Sequence, residues 1–233
     1  MNAVYKREMR SYFSSPIGYV VLTVFALFEG FYFYFLFSNN YGDISALFSF
    51  MMNISMFLCP ILTMRLISED KRLKVDQALL TAPVSLWGIV MGKFLAAFSV
   101  YALCFSLTLV NQLIFAIFVT PDWMVYIGNL LGNLLLGASL IAIGIFVSAL
   151  TESQLVSAVV SFGAVLFIIM IDTVASAIKI EVFSKLISGL SFISRQESFA
   201  SGVLDFSNLI FFLSVSAVFL FLTVRMLEKK RWS

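Results

Sequence analysis

Apolar positions in this chain fall into long unbroken blocks separated by short polar intervals. Residues 44–64, 94–119 and 123–150 hold no charged side chain, and residues 17–37 hold one, Glu29. A hydrocarbon core about 30 Å thick needs about 20 apolar residues in a helix rising 1.5 Å per residue. Two shorter runs, 155–171 and 208–224, reach the low end of spanning length. The pattern predicts an all-α integral membrane protein with six transmembrane helices, at about 17–37, 44–67, 93–119, 123–150, 155–172 and 207–227. These spans and their connections use nearly the whole of the 233 residues, so residues 1–233 read as a single transmembrane domain.

The polar intervals carry their own periodicities. Over residues 1–13, Met1, Tyr5, Met9 and Tyr12 share one helical face, and Lys6, Arg7 and Arg10 lie opposite. Such an N-terminal interfacial helix lies in the headgroup plane with its cations toward anionic lipid; the bland alternative is a basic flank without defined structure. Ser14-Ser15-Pro16 supplies an N-cap and a helix-starting proline for span 1. Pro60 removes a backbone hydrogen bond from span 2 and predicts a kink. Between spans 2 and 3 comes the charge cluster Glu69-Asp70-Lys71-Arg72, then Leu73, Asp76, Leu79 and Leu80, and a stop at Pro83. A turn needs only a few residues, so this length predicts a helix over 69–82 lying along the membrane as a docking element; a solvated loop is the alternative. Span 3 is expected to begin after Lys93. From Thr173 to Ser207, Ile180, Phe183, Leu186, Ile187, Leu190 and Ile193 recur at helical spacing among Lys179, Glu181 and Lys185, predicting short outer-face helices before span 6.

Charge sets the orientation. Of the 15 Lys and Arg, twelve fall before span 1, between spans 2 and 3, and after span 6, against three (Lys179, Lys185 and Arg195) in the other connections. The positive-inside rule then predicts that both termini are cytoplasmic, as an even number of spans requires. Glu8 and the length of the first apolar run argue for a retained anchor and against a cleaved leader.

Composition narrows the chemistry. The chain is 61% hydrophobic with 26 Phe, and its mean hydropathy is +1.01. It has no histidine, which removes Ser-His-Asp and Cys-His nucleophiles, HExxH zinc sites and histidine-ligated haem. Cys59 and Cys104 each stand alone in an apolar run and read as small buried hydrophobes. No catalytic or metal-ligating residue is assigned. No GxxxxGK[ST] loop occurs, so the chain itself is not expected to hydrolyse ATP. A net charge of +2 gives no case for nucleic acid, since the cations serve topology.

A few polar residues lie inside the apolar runs. Glu29 costs on the order of 2.5–3.5 kcal/mol at mid-bilayer on insertion scales and asks for a reason. It is a candidate for the translocation path or a dimer seam, or a protonated side chain bonded to a neighbouring helix. Asn53, Asn111 and Gln112 are further candidates for the same set, and with Asn129 and Asn133 are candidates for interhelical hydrogen bonds. Gly128 and Gly132 form a GxxxG spacing, read as intramolecular packing ahead of a dimer seam.

The chain resembles the permease subunits of type-2 ABC exporters, closest to the gliding-motility and copper-enzyme-maturation branch. The resemblance rests on YKREMRSYFSSPIGYVV at 5–21, RLISEDKR at 65–72, LLTAPVSLWGIVMGKFLAAF at 79–98, GIFVSALTESQLVSAVVSF at 144–162 and the stretch from FASGVLDFSN to RMLEKKRW at 199–232. It implies that residues 1–13 are a connecting helix, 69–82 a coupling helix seated in an ATPase cleft, and 176–207 short helices capping the export path. It further implies two copies of an ABC ATPase that bind ATP and Mg, a second copy of this or a homologous permease, and the bacterial cytoplasmic membrane. Where the family has a Gly-Thr-Leu-Glu-like stretch, this chain has Leu73-Lys74-Val75-Asp76-Gln77, so its ATPase contact is its own.

An ATP-driven exporter subunit is therefore the expected function. One rival keeps the ATPase but transmits motion to an auxiliary membrane protein with an extracytoplasmic domain and moves no solute. A second is a proton-coupled carrier using Glu29 and Asp172, disfavoured because such carriers need more buried ionisable groups.

Overall fold

The computed structural model describes residues 1–39, 44–75, 84–118, 121–177, 189, 191–203 and 205–232, and every regular element among them is helical. Six helical segments are long and apolar enough to cross a membrane: Pro16–Ser38, Ile44–Arg72, Leu86–Phe118, Trp123–Leu150, Gln154–Ile171 and Phe206–Arg231. The protein is an all-helical, multi-pass membrane protein. Side chains such as Leu27, Phe31, Leu155 and Phe167 form an apolar outer belt suited to hydrocarbon.

Helix α1 (Asn2–Ser14) meets α2 (Pro16–Ser38) at Ser15, whose backbone is extended, and Pro16 opens α2 with its fixed φ. The side-chain cap expected from the serines is not made. The Ser15 hydroxyl instead accepts a 2.8 Å hydrogen bond from Arg65. Helix α3 (Ile44–Thr63) runs through Pro60 and passes by turns into α4 (Ser68–Arg72). Thr63 Oγ1 donates to Cys59 O at 2.9 Å, and the Tyr12 hydroxyl donates to Leu62 O at 2.7 Å.

The third span departs from expectation at both its start and its middle. Helix α5 (Leu86–Ser106) begins seven residues before Lys93, capped by Ser85 accepting from Gly88 N. A turn at Leu107 separates it from α6 (Thr108–Phe118). There Ser106 and Thr108 hydroxyls donate to Leu103 O and Phe105 O, each 2.7 Å, and Leu107 N donates to Cys104 O, three residues back. Hydroxyls returning to carbonyls three residues back compete with the helical ladder and bend it.

Helix α7 (Trp123–Leu150), capped by Asp122 on Met124 N and Val125 N, is the most buried span and forms the axis of the bundle. Helices α3 and α5, then α8 (Gln154–Ala177), α9 (Phe192–Ala200) and α10 (Phe206–Trp232), all pack on it. Close approach depends on missing side chains: Gly137 faces the Tyr101 ring and Gly144 faces Thr63. The small-residue spacing in this helix serves packing within the chain. Next to Gly137, Tyr101, Phe105, Phe25 and Phe48 build the core, with Phe105 about 5.0 Å from both the Phe25 and Tyr101 rings. Both cysteines are buried and free. Helix α8 runs past the expected end at 172 to Ala177. The amphipathic pattern at 178–188 and 190 lies outside the described residues, and α9 is the described helix before α10.

Candidate functional site

Four charged side chains meet at the basic end of the bundle. Lys93 is only 2% exposed although it is a lysine. Its Nζ lies 2.6 Å from Asp70 of α4 and 2.8 Å from Glu8 of α1, and it donates also to Leu66 O. Two of the three ammonium donors bond Glu8 and Leu66 O, and Asp70 adds an ion pair. Arg7 closes the cluster from the rim, 2.6 Å from Glu8 and 3.1 Å from Asp70. Two cations thus face two carboxylates, and three helices are tied at one point. Burial pushes the Glu8 carboxyl up, but Lys93 and then Arg7 outweigh it and hold the group below the ordinary glutamate range. For Arg7, burial pulls downward, and bonds and charge from Glu8 and Asp70 raise it overall.

Neighbouring contacts extend the tie. Arg65 donates to Ser15 at 2.8 Å and Ser11 at 3.1 Å and lies 4.6 Å above the Tyr12 ring, joining the end of α3 to α1. The Ser148 hydroxyl of α7 accepts from Ile67 N at 3.1 Å and Ser68 N at 3.0 Å and donates to Met64 O, so the turn into α4 is seated on α7. Lys71 Nζ donates to Ala149 O. Helix α4 and the turn before it are therefore bonded to α1, α5 and α7 together.

The expected coupling residues separate here. Asp70 and Lys71 face inward onto partners, Glu69 is half-buried, and Arg72 and Leu73 are exposed. The expected continuous helix over 69–82 is interrupted: α4 stops at Arg72, and Lys74 takes a left-handed φ of 56° that ends helical pairing. Asp76, Leu79 and Leu80 lie outside the described residues. In α1 the buried line is Val4, Glu8 and Tyr12, while Lys6 and Arg10 are exposed and Arg7 joins the cluster. A face expected to lie on lipid is thus partly an interhelical face, packed on α5 and α2.

Elsewhere, Glu29 is buried and accepts a 2.7 Å hydrogen bond from Asn111, one turn past the break in the third span. Gln112 is buried beside it in sequence. Asn53 is not brought to this pair; it donates to Ser49 O and lines a separate cavity with Asn129 and Asn133. Among the described residues, no group of three His, Cys, Asp or Glu gathers as a metal site.

Sequence reasoning missed Glu8 and Lys93 as partners. The available signal was the apolar stretch Leu86–Met91 immediately before Lys93, which makes that lysine interior to a span rather than a flank. The chain matches no family model and no curated protein.

The depressed Glu8 carboxyl carries a pH dependence. Its stabilisation is complete above the ordinary glutamate range and is lost as pH falls through its lower folded value. Thermal unfolding of the detergent-solubilised protein between pH 7 and 3 should show this acid loss, and Glu8→Gln should reduce it. An identical acid limb in Glu8→Gln would assign the loss to other carboxylates.

Proposed function

We propose that this chain is the membrane-spanning subunit of a type-2 ABC exporter, working with a second permease copy and two copies of a separate ATPase. The observation that carries the proposal is the charged joint: a short polar helix, α4, is ion-paired to a buried lysine in a membrane span and to α1. Such a joint suits transmission of force from a cytoplasmic engine into the spans. The resemblance of residues 5–21, 65–72, 79–98, 144–162 and 199–232 to this permease class supports the same conclusion. So does the exposure of apolar side chains beside the joint, with Leu73 59% exposed.

In this mechanism both termini are cytoplasmic and the membrane is the bacterial cytoplasmic one. ATP and magnesium are held by the partner, and the nucleotide cycle moves residues 69–82. Asp70, Lys93 and Glu8 then carry that movement into α5 and α1, so the span bundle shifts between access states.

The test is Leu79→Asp, which reverses an apolar anchor in the expected ATPase contact while leaving the spans intact. Loss of a buried anchor worth about 2 kcal/mol lowers affinity some thirtyfold. Co-purification with the ATPase should fail or ATP turnover in proteoliposomes should become uncoupled, while Lys74→Ala has little effect. Wild-type behaviour of Leu79→Asp in both assays would sink the coupling assignment. ATPase stimulation without solute flux would favour the mechanical transmitter instead.

A further inference from the structure

An apolar groove of about 540 Å³ opens between α5, α7 and α10, and one end of it reaches Trp87 in the first turn of α5. That volume falls in the range of about 300–1,000 Å³ usual for sites that bury a ligand. Ala138, Ser216 and Ala217 are small where α7 and α10 face the groove, which gives it depth. The Phe94 and Phe98 rings of α5, stacked 5.9 Å apart, line it from the other side. The Ser216 hydroxyl donates to Phe212 O at 2.8 Å, so its proton is spent within α10.

A recess of this kind between membrane spans takes hydrocarbon, and the groups at its end decide which amphiphile fits. Trp87 is 46% exposed, and its ring lies 6.3 Å from that of Phe221. The Arg225 guanidinium stands 5.0 Å over the same Phe221 ring. Two aromatic rings thus lead from the groove to a cation. The indole N–H donates to no described residue, and Arg225 spends one N–H on Glu228 at 2.9 Å. Over residues 225–231 four cations stand against that one carboxylate. A tryptophan ending an apolar span belongs at headgroup depth, where its N–H meets lipid oxygens. Basic side chains at the same level attract anionic headgroups.

Other occupants fit less well. A second copy related by a two-fold axis would set the same cationic stretch against itself, and like charges in contact are costly. A water-soluble partner does not reach between spans at hydrocarbon depth.

We infer that this groove seats an acyl chain of an anionic phospholipid, with the phosphate at Arg225 and the ester region at the Trp87 indole. The lipid then occupies a fixed place between α5 and α10, unlike the exchanging lipid of the surrounding annulus.

The full chain carrying Trp123→Phe and Trp232→Phe keeps Trp87 as its sole tryptophan. It is reconstituted in phosphatidylcholine nanodiscs with a small fraction of lipid brominated in its acyl chains, either phosphatidylglycerol or phosphatidylcholine. Bromine quenches an indole at contact, so equal bromine content isolates the effect of the headgroup. Trp87 quenching should give phosphatidylglycerol an apparent affinity about fivefold or more above phosphatidylcholine. Arg225→Gln, at an exposed position, should cut the preference to about twofold or less. Ala217→Phe, also exposed, fills the groove without altering any charge and should cut it as far. If one variant does not fold, the other decides. Equal quenching by the two lipids before either substitution overturns the inference. So does a preference that persists undiminished in Ala217→Phe, which belongs to the basic surface at large, or in Arg225→Gln. Absence of quenching by both lipids overturns it as well, and assigns the groove to contact with a second copy.

Discussion

Lys93→Met should destabilise the folded protein by about 3–5 kcal/mol, because it strands two carboxylates in a site built for two cations. With the ammonium gone, Glu8 and Asp70 face each other with only the rim guanidinium of Arg7 between them. Leu66 O loses its side-chain donor as well. Glu8→Gln alone errs in the other direction, leaving Lys93 and Arg7 against Asp70. Combined, the two substitutions restore charge balance through the Arg7–Asp70 pair. The double variant should therefore lose clearly less than the two single losses added together, with a coupling of about 0.5–3 kcal/mol. Thermal unfolding of all four proteins in one detergent measures the cycle. Strict additivity would show that Lys93 and Glu8 do not act as a unit, and the joint would lose its physical basis.

Gly137→Ala should be the most damaging small substitution in the axis helix. A Cβ at that position stands 2.1 Å from Tyr101 Cε1 and 2.4 Å from its Cζ. The ring cannot swing aside cheaply, since Tyr101 is buried, packs 5.0 Å from Phe105 and donates its hydroxyl to Asn133 O at 3.0 Å. Overpacking of this kind costs about 1–3 kcal/mol or more, and α5 must move away from α7 to relieve it. Gly144→Ala meets Thr63 Oγ1 at 2.1 Å and should behave similarly. Gly163 and Gly30 have open space where a Cβ would go. Alanine there should be neutral or stabilising by about 0.5–1 kcal/mol, as expected for removing a helix-interior glycine. Unfolding temperatures of the four alanine variants test the contrast, and equal losses at all four positions would contradict the packing.

The apolar blocks predicted six helices of membrane-spanning length; the starts at Pro16, Ile44 and Trp123 fall within a residue of expectation, while the third begins at Leu86, seven residues before Lys93. Hydrocarbon thickness sets that pattern whatever the partners of each helix, so it is legible without tertiary structure. Charge rules served less well at Lys93. Counted as a flanking cation, it proves to be an interior one, because a lysine inside an apolar helix is tolerated once carboxylates from other elements reach it. Those carboxylates come from residues 8 and 70, and sequence spacing does not reveal that pairing.

By itself, then, the sequence determined the helical class, the presence of six helices long and apolar enough to cross a membrane and the basic character of one end, since these follow from transfer free energies of single residues. It also marked Glu29 as unusual. Only the tertiary structure decided its hydrogen bond from Asn111, the break at Leu107, the gathering of Arg7, Glu8, Asp70 and Lys93, and the amide-lined cavity around Asn133. Each of these depends on which helices become neighbours. That choice is made by packing around α7, where glycines opposite Tyr101 and Thr63 allow close approach, and not by the hydropathy of any one segment.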